Sequence, residues 1–205
     1  MRNIYLMRHG KPDFAGDGRY CIGITDLPLS EVGKEQALLL KQFLQDKSIE
    51  HYYSSPLRRC RQTAELIAPG AEMVFVVNGF KEVNMGDWEG LPFAEIKRLY
   101  PDAYEKRGQD IVHYSPPGGE CFDKCAERAW KTFGEILAVT HGNIAIVSHA
   151  GINRALLCRL QGRPLSEMMS IEQPYGCVNI IEVTDDVANE AVRYKIEKIA
   201  YQPGC

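Results

Sequence analysis

Three short runs in this chain place anion-binding residues at the ends of apolar stretches. The first is Arg8-His9-Gly10, directly after the apolar run IYLM at 4–7. The second is Ser54-Ser55, with Arg58 and Arg59 just beyond it. The third is Ser148-His149-Ala150-Gly151, after IAIV at 144–147. One histidine at a strand end is commonly structural. Two at equivalent points, with arginines beside them, fit a phosphate site, because arginine's planar fork of donors matches phosphate and never loses its charge. The chemistry implied is phosphoryl transfer. The chain has no GxxxxGK[ST] loop and no cluster of aspartates ready for magnesium. The nucleophile is therefore expected to be a side chain. Histidine can fill that part when its attacking nitrogen is free of protons.

These residues need elements to hold them, and strand-like and helix-like segments alternate along the chain. Such a pattern points to an α/β layered fold with a mainly parallel sheet. Strands are expected at about 2–7, 50–55 (EHYYSS), 73–77 (MVFVV), 144–148 (IAIVS), 177–183 (CVNIIEV) and 191–200, the last two as an antiparallel edge. Ser30 is placed to cap a helix in which Ala37, Leu40 and Leu44 recur at helical spacing. Ser55 reads as the cap of a second helix, with Pro56 as its first residue and Pro69-Gly70 as its stop. A short helix around 93–100, a loop through SPPGGE, a long helix from Glu120 to about Val139 and a helix after His149 complete the pattern. In open α/β sheets, ligands gather where strand carboxyl ends meet helix N-termini. Unpaired N–H groups there favour anions.

Bulk properties set the frame. A chain of 205 residues, 45% hydrophobic and 25% charged, has an ordinary soluble composition and can build a sizeable core. A formal net charge of −3 gives no general attraction to nucleic acid or an anionic membrane, so cations must be placed locally. No apolar run approaches ~18 residues, so no membrane-spanning helix is expected. The N-terminus lacks a signal-peptide layout. Seven scattered cysteines are then expected to be reduced thiols in a cytoplasmic protein. Cys121 and Cys125 sit four apart without a second zinc-like pair, so no metal is expected.

Together these runs resemble the histidine phosphatase superfamily, also called phosphoglycerate mutase-like. RHG at 8–10 looks like its signature, and SSPLRRCRQTA (54–64) is similar to its box SSPLxRAxQTA. EVNMGDWEG (82–90) resembles the segment that holds its acid, and SHAG (148–151) its second-histidine box. The resemblance covers nearly the whole chain. It implies a three-layer α/β sandwich around a mostly parallel sheet of about six strands, as one domain over 1–205 with a cap-like insertion around 80–119. It also implies a phosphatase that needs no cofactor or metal and acts on a small phosphorylated metabolite. His9 would be the nucleophile that becomes phosphorylated. Arg8 and Arg59 would hold the phosphoryl oxygens, His149 would donate to them, and Glu82 would be the proton donor, with Glu89 its nearest rival. An acid in that role must hold its proton near neutral pH.

One departure from the family stands out. After RHG come Lys11-Pro12-Asp13-Phe14-Ala15, so Ala15 replaces the asparagine that often helps bind phosphate. Backbone N–H groups of Ile22 and Gly23, in CIGITDLPLS, are expected to compensate, with Lys11 as a further cation and Ala150 beside His149 as a further contact. Arg19, Arg98 and Arg107 are candidates for a second anionic group, Trp88 for the leaving-group pocket, and Cys60 for a thiol beside the site. The run GRYCIGITDLPLSEVGKEQA is similar to the α-ribazole phosphatase branch, which implies α-ribazole phosphate as one substrate. Two alternatives stand beside a phosphohistidine phosphatase. One is a phosphoglycerate mutase; the other is a non-catalytic phosphate-binding module.

Overall fold

A computed structural model describes residues 1–14, 20–186 and 191–204 of the chain. Ala15 and Arg19 lie outside the described residues. Among the described residues, six strands form one sheet in the order β3-β2-β4-β1-β5-β6. They are β1 (Arg2–Arg8), β2 (Ile49–Ser54), β3 (Val74–Val76), β4 (Asn143–Ser148), β5 (Val178–Asp186) and β6 (Ala191–Tyr201). The first four are mutually parallel, and β5 and β6 run antiparallel at one edge, as their sequence suggested. The helices are α1 (Glu31–Leu44), α2 (Arg58–Ile67), α3 (Phe93–Leu99), α4 (Pro101–Gln109), α5 (Phe122–Val139) and α6 (Ala150–Leu160). No helix among the described residues is long and apolar enough to cross a membrane.

Successive side chains of a strand point to opposite faces, and parallel strands buried on both faces are apolar at every position. The strands β1 and β4 follow this rule. Ile4 and Leu6, with Ile144 and Ile146, enter the cluster that holds Ala129, Phe133 and Ile136 of α5 and Ile152 and Leu156 of α6. Tyr5 and Met7, with Ala145 and Val147, enter the cluster that holds Leu40 and Leu44 of α1 and Cys60, Ala64 and Ile67 of α2. The sheet is thus the middle of three layers.

Four local differences from the sequence reading have physical causes. Ser55 does not cap α2, which begins at Arg58 after Leu57. The Ser55 hydroxyl is taken by His149, and Asp26 Oδ1 instead accepts the Arg58 N–H at 2.6 Å. The apolar run at 73–77 yields only the three-residue β3, an edge strand whose Phe75 and Val76 are exposed. A second helix, α4, follows α3 because Pro101 suits a first helical turn, where its missing N–H costs nothing. The long helix begins two residues later than Glu120, whose carboxylate pairs instead with Arg128.

The order β2-β4-β1 decides where the chemistry sits. Arg8 is in register with Ser148, and Ser54 with Val147, so the three strands end together. Hydrogen bonds from His9 N to Ser148 O and from Ser55 N to Val147 O, both 3.0 Å, carry the alignment one residue past the strands. Leu6 is fully buried in β1, between the layers. Leu6→Ala is expected to lower stability by about 2–5 kcal/mol through a cavity beneath the site, read as a lower midpoint in urea unfolding with an unchanged slope.

Candidate active site

The strand ends bring His9, Ser55 and His149 side by side, and α2 sends Arg59 back across them. Arg59 is 1% exposed. Its Nε donates to His9 Nε2 at 3.2 Å, and its Nη2 donates to His149 Nδ1 at 3.1 Å. Nη1 donates to the carbonyl of Thr25 and Nη2 also to that of Gly23, both at 2.7 Å. The first turn of α2 is tied to β1 through Thr63. That hydroxyl donates to the Arg59 carbonyl at 2.7 Å and accepts the Gly10 N–H at 3.1 Å.

These bonds settle both imidazole tautomers. His9 Nδ1 lies 2.7 Å from the Gly10 carbonyl, which can only accept, so Nδ1 carries the proton and Nε2 presents its lone pair. For His149, Nδ1 accepts from Arg59, so the neutral ring is protonated at Nε2, 2.7 Å from Ser55 Oγ. Both rings are buried, and their centroids are 5.1 Å apart. Burial first, then Arg59 and Arg8 nearby, pushes His9 well below its usual range, although the Gly10 hydrogen bond opposes this. His149 is lowered likewise by burial, then by Arg59, His9 and Arg8. Both histidines are neutral in the folded protein at neutral pH.

Arg8 completes one wall. Its guanidinium lies over the Tyr175 ring, 3.7 Å from the centroid, and donates to the Gln173 carbonyl. Its Nε is buried without a partner among the described residues. Glu82, also buried, accepts the Gly151 N–H at 3.1 Å, so its carboxyl group caps the start of α6. Gly151 permits this approach, since a Cβ there would stand 2.4 Å from Glu82 Oε1. Gly10 likewise permits a close approach: a Cβ on it would collide with the Gly33 carbonyl of α1 at 2.2 Å.

Other residues named from the sequence fall as follows. The Lys11 side chain is exposed, while its carbonyl accepts the Ser30 N–H and hydroxyl that start α1. Ile22 is half-buried in the loop before Gly23, and Ala150 occupies the first position of α6, where a helix leaves N–H groups open. Gly23 needs correction as a phosphate donor, because its N–H is turned to Glu89 at 3.1 Å and its carbonyl to Arg59. Glu89 is unsuited to be the acid. Burial alone would raise it, but the Thr25 hydroxyl and the N–H groups of Met85, Ile24 and Gly23 hold it below the usual carboxylate range. Trp88 is wholly buried in the core and stacks on Tyr114, so it packs. Cys60 is also wholly buried, its thiol 3.3 Å from His149 Nε2, and burial drives its ionisation far up, which leaves it inert. Arg98 is an exposed surface residue paired with Glu95, and Arg107 lies 5.8 Å over the Phe122 ring. Among the described residues, no group of three or more His, Cys, Asp or Glu side chains is gathered to hold a metal.

Sequence reasoning missed Tyr175, Gln173 and the Ser55–His149 bond. Thr63 lies in QTA (62–64), where nothing local marks its bond to Gly10. No residue spacing marks Tyr175, which reaches Arg8 from a loop more than 160 positions away.

A three-layer α/β fold with two histidines and two arginines at the sheet's carboxyl edge defines a phosphoryl-transfer enzyme. The model of the histidine phosphatase superfamily (branch 1) matches residues 4–196, and the chain belongs to that superfamily. It is 34% identical over 182 residues to phosphoserine phosphatase 1 of Hydrogenobacter thermophilus, covering 87% of this chain and 83% of that one. It is 31% identical over 175 residues to a 6-phosphofructo-2-kinase/fructose-2,6-bisphosphatase of Caenorhabditis elegans, covering 84% of this chain but only 37% of that longer protein. The crystal structure of the α-ribazole phosphatase from Shigella flexneri superposes with a TM-score of 0.86 at 27% identity, covering 98% and 96% of the two chains. The protein is a phosphatase.

Two predictions follow from this geometry. His9 and His149 have folded pKa values below the unfolded value of about 6.5. Between those limits the unfolded chain binds protons that the folded chain refuses, so stability falls as pH drops below about 6.5. Urea unfolding across pH 7 to 5 should show that fall, and His9→Ala should make it shallower. Gly151→Ala should displace the Glu82 carboxylate and cut phosphatase activity by about 100-fold, with a folded circular-dichroism spectrum retained.

Proposed function

We propose that this phosphatase hydrolyses a small-molecule phosphomonoester through a phosphohistidine on His9, without a metal. The observation that carries this reading is the His9 tautomer: the Gly10 carbonyl holds the proton on Nδ1 and leaves Nε2 unprotonated, its lone pair turned to the Arg59 Nε–H. The buried setting keeps that nitrogen unprotonated at neutral pH. In the first step Nε2 forms a bond to phosphorus as the ester P–O bond breaks, and Glu82 gives its proton to the departing oxygen. In the second step water attacks phosphorus, the P–Nε2 bond breaks, and Glu82 takes the proton from the water. Inorganic phosphate leaves, and both residues return to their starting states.

Arg8 and Arg59 would neutralise the phosphoryl oxygens. Such fixed donors count for most where water is excluded. When a dianion occupies the pocket, the Arg59 donors have a better acceptor than the imidazoles. His149 Nδ1 then carries a proton toward the phosphoryl group, while Nε2 accepts from the Ser55 hydroxyl. The N–H of Ala150 at the start of α6 and the backbone of Ile22 are further donors in this reading, and Lys11 adds charge at the rim. Residues 80–119, with α3 and α4, would form a cap-like insertion within one domain and shape the leaving-group side. Similarity to an α-ribazole phosphatase structure, together with the run at 18–37, supports α-ribazole phosphate as a first substrate to try.

Rapid mixing with p-nitrophenyl phosphate, followed by an alkaline quench, should trap an acid-labile, base-stable phosphoryl group on the protein. His9→Ala should lose it and lower turnover at least about 1,000-fold; full activity in that variant would refute the mechanism. A panel of phosphorylated metabolites that includes α-ribazole phosphate and 3-phosphoglycerate should release free phosphate. Isomerisation of 3-phosphoglycerate would instead indicate a mutase.

A further inference from the structure

Glu89 stands out as a half-buried carboxylate that no step of the reaction uses. Its Oε1 accepts the N–H groups of Ile24 at 2.8 Å and Met85 at 3.0 Å. Its Oε2 accepts the N–H groups of Gly23 and Thr25, both at 3.1 Å, and the Thr25 hydroxyl at 2.5 Å. Five donors converge on one side chain, all from two segments that the site needs in register. One is the loop 23–25; the other is the segment that starts at Glu82.

The same loop faces Arg59 with its carbonyls. Arg59 Nη2 donates to Gly23 O and Nη1 to Thr25 O, both at 2.7 Å. The peptide unit between Gly23 and Ile24 is therefore held at both ends: its N–H by Glu89, its C=O by Arg59. Among the described residues no carboxylate pairs directly with Arg59. Glu89 meets Arg59 only through the peptide groups of the loop, so direct contact does not neutralise the guanidinium charge. A carboxylate in direct contact would satisfy Arg59 and weaken its pull on phosphate.

We propose that Glu89 is a positioning residue that acts through this loop, fixing the carbonyls of Gly23 and Thr25 so that Arg59 is held against His9 and His149. The inference rests on the reading of Arg59 as a phosphoryl-binding group. Each carboxylate oxygen accepts at least two donors. Replacing either by an amide NH2 therefore sets donor against donor and turns the loop away from Arg59.

The test is a double-mutant cycle on the full chain with Glu89→Gln and Arg59→Ala, read by orthovanadate affinity and by turnover of p-nitrophenyl phosphate. Glu89→Gln alone is expected to weaken vanadate binding on the order of tenfold and to lower kcat. In the Arg59→Ala background the same change is expected to cost less than about twofold, since the loop then has nothing to position. The basic limb of the pH–rate profile should keep its place in Glu89→Gln, because Glu89 moves no proton. Should Glu89→Gln fail to fold, Thr25→Val removes a single donor and leaves the backbone in place. Its few-fold loss is expected in the wild-type background only. Equal losses in both backgrounds, wild-type vanadate affinity in Glu89→Gln, or a displaced basic limb would overturn the positioning role. The cycle on vanadate needs no turnover. Failure to trap phosphohistidine in the wild type would therefore count against the proposed mechanism and leave the role of Glu89 to be judged by the coupling.

Discussion

The site depends on a cation that is buried without a direct counter-charge. Taking a guanidinium out of water is expensive, and the cost is tolerable only if every donor finds an acceptor. Arg59 places four of its five N–H donors, and the four acceptors are electrically neutral: two imidazole nitrogens and two peptide carbonyls. Neutral acceptors satisfy its hydrogen-bonding capacity without cancelling its charge. The residual positive potential is what a phosphate dianion would meet. After burial, which is the larger cause, it also disfavours protonation of both histidines, so the residue that attracts anions helps keep the proposed nucleophile uncharged.

Everything around Arg59 serves to hold that arrangement. The sheet order places β1 and β2 on either side of β4, so the ends of three strands arrive at one edge. Close backbone approaches then tighten the edge. Gly10 lets β1 meet the Gly33 carbonyl of α1, and Gly151 lets the Glu82 carboxylate reach the start of α6. Glu82 and Glu89 belong to one short segment yet have opposite partners. Glu82 faces α6 near the histidines, and Glu89 faces the loop that cages Arg59. The separation of roles follows from the number of donors each receives.

Much of this was legible from residue types. The runs ending at His9 and His149 read as strands with anion-binding ends, because apolar stretches stop abruptly at polar residues beside glycine. The antiparallel edge, the long helix and the Ser30 cap were equally legible, since each rests on local periodicity or local capping chemistry. What escaped reading was long-range. Ser55 carries every local mark of an N-cap, but His149, 94 residues away, competes for its hydroxyl, and Asp26 takes over at Arg58. Residue type shows Glu89 as a carboxylate near the motif and cannot show the five donors closing on it. Nor does sequence show that the Gly23 N–H is turned to Glu89 and away from a phosphate.

The two arginines illustrate how differently one charge can be held. Arg59 is caged on all sides by fixed acceptors, so its position is set before any ligand arrives. Arg8 rests one face on the Tyr175 ring, gives one donor to the Gln173 carbonyl, and keeps a buried Nε without a partner. Burial lowers its hold on its proton, while the nearby Tyr175 and Glu82 oppose that shift. An aromatic face supports a guanidinium without using its in-plane donors. Arg8 can therefore turn those donors to an incoming anion at little cost in bonds already made. In the proposed reaction, the caged arginine defines where the phosphoryl group sits, and the stacked one adapts to the oxygens as the geometry at phosphorus inverts.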